Sequence, residues 1–421
     1  MNLAASKTQS KFSGQKKSSH MSRLYLEAGA VLEKIIFKKV GIKNAVYGSK
    51  CSAKQKPSIL GLVSKALANQ TLLHKALTSI GAFETEEKMR RGLLLVMTTE
   101  LLLGSGEIRG GGHVKRFLVE RLDALKEFSK SSGIKVVDTA RTESDLPRYI
   151  RVNPSRWKSV GAAIAHIKAS GVAEVKKDEH IPNLLVIDAK DTKSLVLLDS
   201  IKTGALIMQD KSTCVSAHAL LADRPKGLSA PIHVVDACSA PGGKTIHILE
   251  MLRPGDSLTA VELNPKRAKI LEERLAALGD MTKGVKVKVV TSDFLKLFQE
   301  DFETPVTHIN LDPSCSGSGM PGPSTKGSER LKTLSAFQSK MLKHALHAFD
   351  TVKTVCYSTC SVMAVENQDV VNDNIMESRF RIETKPLPAW WTEACDDGFI
   401  RTTPAENKCR GFFLAKLVRV D

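Results

Sequence analysis

At 421 residues, with 42% hydrophobic and 25% charged side chains, the chain can build two or three cores, and it is too apolar for global disorder. No apolar run reaches the roughly 18 residues that a membrane span needs, so no membrane partner is expected. The net charge of +17 is uneven: residues 1–135 carry 24 basic against 10 acidic side chains, net +14, and the remainder 38 against 35, net +3.

A basic N-terminal third on a near-neutral body points to a module that binds a polyanion, nucleic acid first. A lysine-rich solvated face is the bland alternative. Residues 1–22 are rich in Ser and Lys and have no acid before Glu27, so they read as a disordered basic tail. A nuclear-targeting role suits them, with a mitochondrial presequence as the minor option, and no secretory apolar stretch is visible. The eight cysteines form no disulfide framework and no zinc-type spacing, so reduced thiols and no metal are expected.

Over residues 23–130 apolar positions recur at helical spacing, as in Leu24, Tyr25, Ala28, Val31, Leu32, Ile35 and Ile36. This predicts a helical, basic, RNA-binding domain. Within it Leu93–Leu103 reads as a buried helix, and Gly104–Gly112 reads as a glycine-rich connection that either approaches RNA or merely links two helices. Polar residues 131–145 mark a boundary. A small α+β module of βαβ type is expected over 146–205, with strands at Arg148–Asn153 and Leu184–Asp188 around a helix at Ser155–Ser170.

Residues 206–421 alternate strand and helix. Strands are predicted at Ile232–Ala237, Ser257–Val261, Val285–Val290, Val306–Leu311 and Val352–Ser358, with helices at Pro265–Leu278 and Glu329–Phe349. This α/β pattern predicts a Rossmann-like, doubly wound parallel sheet. The last run, Gly411–Arg419, has no helix after it and suits an added antiparallel strand.

The first strand runs into Asp236-Ala-Cys-Ser-Ala-Pro-Gly-Gly-Lys-Thr245, so Asp236, Cys238, Ser239, Ala240, Pro241, Gly242, Gly243 and Lys244 line a ligand loop at the carboxyl edge of the sheet. The first glycine of a phosphate-binding P-loop would fall on Cys238, which disfavours a nucleotide triphosphate, and the dinucleotide pattern G-x-G-x-x-G is absent. Glu262 after the second strand suits ribose hydroxyls, and Asp293 after the third suits an adenine amino group. Any one of these acids alone is more often a helix cap. Three at successive strand ends favour an adenosyl ligand.

The fourth strand leads into Asp312-Pro-Ser-Cys315 and the fifth into Tyr357-Ser-Thr-Cys360. Adjacent parallel strands would bring Cys315 and Cys360 to one cleft beside Asp312. A lone cysteine is usually a small buried hydrophobe, and that reading is kept for Cys51, Cys214, Cys356, Cys395 and Cys409.

Together these strings resemble the NOP2/Sun family of RNA cytosine-5 methyltransferases, and Glu100–Gly112 resembles its member-five branch, which acts on large-subunit ribosomal RNA. Most of the family has Asp-x-Pro-Cys; here proline stands one place earlier, as in that branch. The resemblance implies a class I fold and S-adenosyl-L-methionine as cofactor, with Arg267 and Asp312 added to its contacts. It also implies Cys360 as nucleophile toward cytosine C6, Cys315 assisting release, Asp312 at the N3 edge, and Lys244 positioning base and cofactor. An RNA or pre-ribosomal partner and a nucleolar location follow from it. Transfer or messenger RNA as substrate, or an assembly factor without turnover, stay open. A DNA enzyme fits less well, because DNA cytosine-5 enzymes rely on a single cysteine in the loop of Cys315.

Overall fold

The computed structural model describes residues 23–38, 42–52, 55–84, 90–134, 136, 146–224, 230–279, 284–320, 328–384 and 397–420. The expected disordered tail at 1–22 and Cys395 lie outside them. The chain divides into two compact units, Met1–Thr139 and Ala140–Asp421.

The described part of the first unit is helical: Arg23–Lys38, Ile42–Tyr47, Lys56–Ala68, Gln70–Ser79, Arg91–Leu103, His113–Glu120 and Leu122–Ser131. Tyr25, Ala28, Val31, Leu32 and Ile35 lie on one face of the first helix and enter a single apolar core. That helix crosses Arg91–Leu103 closely, because a Cβ on Gly92 would collide with the Gly29 carbonyl oxygen. Gly92 through Thr99 are buried, so this helix forms the centre of the unit. The glycine-rich stretch is the connection between Arg91–Leu103 and His113–Glu120. Arg109, Arg116, Lys126 and Lys130 are exposed along this end of the chain segment.

The second unit opens with strands β1 (Arg148–Val152), β2 (Val175–Lys177), β3 (Leu184–Ile187) and β4 (Leu206–Met208). They form one sheet in the order β2-β3-β1-β4, every pair antiparallel. This corrects the expected βαβ-type unit, whose strands would run parallel. The helix is Val160–Ala169, begun by Ser159, whose hydroxyl accepts from the Ala162 N–H. β4 also carries this small sheet past residue 205, the expected end of the module.

The larger sheet contains β5 (His233–Asp236), β6 (Ser257–Val261), β7 (Lys286–Val290), β8 (His308–Leu311), β9 (Thr354–Thr359), β10 (Phe380–Ile382), β11 (Phe399–Thr402) and β12 (Phe412–Arg419). Its order is β10-β12-β9-β8-β5-β6-β7, with β11 also paired to β12. β7, β6, β5, β8 and β9 run parallel, and β12 is antiparallel to β9. The five predicted parallel strands and the terminal antiparallel strand are all present; β10 and β11 were not predicted.

Alternate residues of each strand supply opposite faces. Val235, Ile309, Val355 and Phe413 pack against helix Ser328–His347, while Val234, Leu258, Cys356 and Leu414 pack against Lys211–Leu220, Gly243–Met251 and Pro265–Ala276. Helices on both faces make the sheet doubly wound. The chain leaves β5 toward β6 and β7, then returns to β8 on its other side. This reversal opens a crevice at the carboxyl edge.

The small sheet is fixed to this body by buried polar bonds. Arg151, at 0% exposure in β1, pairs with Glu250 of helix Gly243–Met251. The Tyr149 hydroxyl donates to the Lys408 carbonyl at 2.9 Å.

Candidate active site

Asp236 ends β5 and is 1% exposed. Its two oxygens accept from Thr245 Oγ1 at 2.6 Å and Asn310 Nδ2 at 2.9 Å. Burial pushes this carboxyl up to about 6, against the lowering effect of those two hydrogen bonds. Asp236 therefore braces the ligand loop from behind.

The loop itself is tied to β6. Ser239 uses both its N–H, at 3.0 Å, and its hydroxyl, at 2.8 Å, to reach the Val261 carbonyl. Cys238 is half-buried, and burial, then the Asp312 and Asp236 charges, hold its thiol well above the ordinary range. Arg267 donates to the Ala240 carbonyl and Arg274 to the Pro241 carbonyl at 2.7 Å. Gly242 begins helix Gly243–Met251 at φ +100°, where a Cβ would stand 2.7 Å from Leu271 Cδ1. Gly243 meets nothing within 4 Å of where its Cβ would be, so the backbone lies open on that side.

Glu262 follows β6 directly and is buried. One oxygen accepts from the Asn264 N–H at 2.9 Å; the other lies 3.5 Å from Arg267 Nη1. Asn264 in turn caps helix Pro265–Ala276, which fixes Arg267 on its first turn. Asp293, just beyond β7, is half-buried and accepts from the Leu295 N–H at 3.1 Å. Asp312 follows β8; its oxygens meet Lys244 Nζ at 2.6 Å and the Ser358 hydroxyl at 3.0 Å. Glu262, Asp293 and Asp312 thus stand at the ends of β6, β7 and β8. Carboxylates in that row suit a ligand that carries hydroxyls, an amine and positive charge, which is the chemistry of S-adenosylmethionine.

Lys244 also lies over the Phe412 ring, 5.2 Å from its centroid. Burial lowers the affinity of its ammonium for a proton, but the charge of Asp312 and the hydrogen bond to it, with Cys360 and Asp236, outweigh burial and the net shift is upward. It stays a cation.

Cys315 and Cys360 meet with their sulfurs 3.1 Å apart. The hydrogen bond to Cys360, then burial, then the charges of Cys360 and Asp312 hold the Cys315 thiol well above its ordinary value. The two sulfurs are close enough for either thiol to donate to the other. Of the other cysteines, Cys51, Cys214, Cys356 and Cys409 are buried.

The sequence reading missed what lies under the two thiols. Glu366 accepts from the Ser316 N–H at 2.8 Å, the Ser361 hydroxyl at 2.6 Å and Gln338 Nε2 at 3.1 Å. Asn367 holds the Thr359 hydroxyl at 2.6 Å and the Ser361 carbonyl at 2.9 Å. The one sequence signal for them is position: a Glu-Asn pair a few residues beyond a strand-end cysteine.

A doubly wound sheet with one reversed strand near its edge, and acids at successive strand ends, defines a class I methyltransferase. Solved structures agree in fold. A methyltransferase homologue from Pyrococcus horikoshii aligns over 83% of this chain and 99% of its own, with TM-score 0.53 and 20% identity. NSun6 from the same organism, solved with SFG, aligns over 70% and 95%, with TM-score 0.56 and 18% identity. Residues 228–418 match the family described as 16S rRNA methyltransferase RsmB/F. The mouse 28S rRNA (cytosine-C(5))-methyltransferase is 30% identical over 94% of this chain and 91% of its own length. The 25S rRNA (cytosine-C(5))-methyltransferase rcm1 of Schizosaccharomyces pombe is 31% identical over 93% and 90%. The chain belongs to the RsmB/F (NOP2/Sun) family of S-adenosylmethionine-dependent RNA cytosine-5 methyltransferases.

Proposed function

We propose that this chain forms 5-methylcytosine in large-subunit ribosomal RNA through a covalent bond between Cys360 and cytosine C6. The observation that carries the reading is the 3.1 Å approach of Cys315 and Cys360 at neighbouring strand ends. Large-subunit ribosomal RNA is favoured because the mouse and fission-yeast relatives, matched over most of their length, are named for 28S and 25S rRNA.

Cytosine C5 is a weak nucleophile until C6 is attacked. The Cys360 thiolate adds to C6, and N3 takes up a proton, which leaves C5 with enamine character. In this reading the Lys244–Asp312 pair, 2.6 Å apart, gives N3 that proton and holds it there. S-adenosylmethionine, when bound, supplies the electrophilic methyl that C5 accepts. The N3 proton then returns to the Lys244–Asp312 pair, Cys315 assists passage of the C5 proton to water, and the C5–H electron pair re-forms the C5–C6 double bond as Cys360 leaves as thiolate. Glu262, Asp293, Asp312 and the 236–244 loop would hold the cofactor. The target base has to leave its stack, at a cost of a few kcal/mol that is least for unpaired RNA.

The helical first unit is the RNA-docking part in this reading, on the strength of its +14 charge over residues 1–135. Binding that rests on lysine–phosphate contacts weakens as salt rises. In this reading the nucleolus is the expected location, with the mitochondrion as the minor option.

Labelled methyl transfer to total RNA from cells lacking this protein tests the reading, with Cys360→Ala as control. Label recovered as 5-methylcytidine in large-subunit RNA, and absent with the variant, is the expected result. Label confined to transfer or messenger RNA, or none even on intact pre-ribosomes, would overturn it.

A further inference from the structure

Glu366 is 0% exposed, and among the described residues no Lys, Arg or His forms an ion pair with it. A buried carboxylate is tolerated only when donors surround it. Here the donors are arranged unusually: they come from both cysteine loops. Ser316, next to Cys315, gives its N–H at 2.8 Å to one oxygen and its hydroxyl at 2.5 Å to the other. Ser361, next to Cys360, gives its hydroxyl at 2.6 Å to that second oxygen. Gln338, on helix Ser328–His347, splits its amide between Glu366 at 3.1 Å and the Ser314 carbonyl at 3.0 Å.

The two loops leave different strands, β8 and β9, and their sulfurs would not hold a fixed separation by pairing of the strands alone. Glu366 is itself anchored: the Tyr357 hydroxyl, inside β9, donates to its backbone carbonyl at 2.6 Å. Gly319 N–H closes the outer side by donating to the Cys360 carbonyl at 3.0 Å.

We propose that Glu366 is a positioning residue that brackets Ser316 and Ser361 and thereby sets the distance between Cys315 and Cys360. Resting on the two-cysteine reading above, the proposal adds the group that keeps both thiols at one base through addition and release. The carboxylate is fully enclosed and its hydrogen bonds go to the two loops and Gln338, so it acts through them. Four donors converge on two oxygens, so a neutral amide in its place turns one pair of donors against another.

Glu366→Gln in the full chain tests this, with Ser316→Ala as a milder second variant. A misplacement of about 1 Å costs on the order of 10²-fold in rate. Methyl transfer to the same total RNA should therefore fall by at least about tenfold in Glu366→Gln, while sinefungin affinity stays within about twofold. The covalent protein–RNA adduct should rise relative to methyl transferred, toward the pattern of Cys315→Ala. Ser316→Ala should move both in the same direction by less.

A readout without RNA separates this proposal from the covalent reading. Diamide takes two electrons and two protons from a thiol pair, so its rate of joining Cys315 to Cys360, followed by mass spectrometry, reports their separation. That rate should drop several-fold in Glu366→Gln. An unchanged disulfide rate, or a loss of methyl transfer matched by an equal loss of sinefungin binding, would overturn the bracket. A slower disulfide rate in a protein that forms no RNA adduct would sustain the bracket and sink the covalent reading alone.

Discussion

Along one edge of the larger sheet, β6 and β7 lead to carboxylates held by backbone N–H groups and one arginine, whereas β8 and β9 lead to thiols whose loops are held by hydroxyls and a buried acid. In the first half each acid has its own support: Glu262 rests on Asn264 and Arg267, Asp293 on Leu295. In the second half the supports are shared, because Glu366 serves both cysteine loops and Asp312 is divided between Lys244 and Ser358. Independent supports make binding graded; shared ones make the reacting groups act as a unit.

The largest test of that contrast lies in the thiols. Cys360→Ala should reduce methyl transfer by at least about 10³-fold, and adding Cys315→Ala to it should cost almost nothing more, since groups acting as one unit are strongly non-additive. Cys315→Ala alone should leave a slow-migrating protein–RNA adduct on denaturing gels, and Cys360→Ala none. Additive losses, or adducts in the opposite variant, would break the comparison.

Next comes Gly242, where the loop of the cofactor half turns into its helix. Alanine there would take φ +100°, which L side chains rarely adopt, and press on Leu271 Cδ1 at 2.7 Å. A loss of about 2–4 kcal/mol in denaturant unfolding is expected, with weakened sinefungin binding. Retained stability would mean that the loop tolerates a different turn.

How much of this edge is legible in sequence follows the same division. Strand ends announce themselves through apolar runs that stop at an acid or a cysteine, so Asp236, Glu262, Asp312 and Cys360 can be found by reading. The spacing of β12, eight residues with no helix after it, likewise predicts its place. Glu366 cannot be found that way, because a carboxylate in a polar stretch reads as solvated until Ser316, some fifty positions earlier, is seen against it. Arg151 and Glu250 escape for a related reason: charges in an alternating strand and on a helix read as surface, and only the packing of the small sheet buries them. The antiparallel order of that sheet escapes too, since β2 and β4 are three residues each and carry almost no periodic signal.

A smaller effect is expected at Glu262. Its carboxylate has one oxygen committed to Asn264 and the other loosely to Arg267, so Glu262→Gln should keep the fold and weaken the cofactor contact proposed for it. KM for S-adenosylmethionine should rise about tenfold with kcat changed less than about threefold, the pattern of an interaction made equally in ground and transition states. A fall in kcat as large as the rise in KM would place Glu262 with the reacting half and blur the contrast.

The smallest effect is a pH dependence at Asp236, the one acid of the cofactor half that is fully enclosed. Burial raises its carboxyl to about 6 in the folded protein, above the ordinary 3.8. A group with a raised folded value binds its proton more tightly when folded, so its contribution to stability is complete below about pH 4 and is lost as pH climbs through about 6. Asp236→Asn has no such proton to lose. Its stability relative to wild type should therefore improve between pH 5 and pH 8 by about 1–2 kcal/mol, measured by denaturant unfolding at both values. The sign is diagnostic of which force rules the loop. A gap that widens against the variant as pH rises would mean that the bonds from Thr245 and Asn310 stabilise the ionised carboxylate more than burial penalises it. Asp236 would then be a charged anchor of the kind found around Asp312, and the two halves of the edge would be built alike.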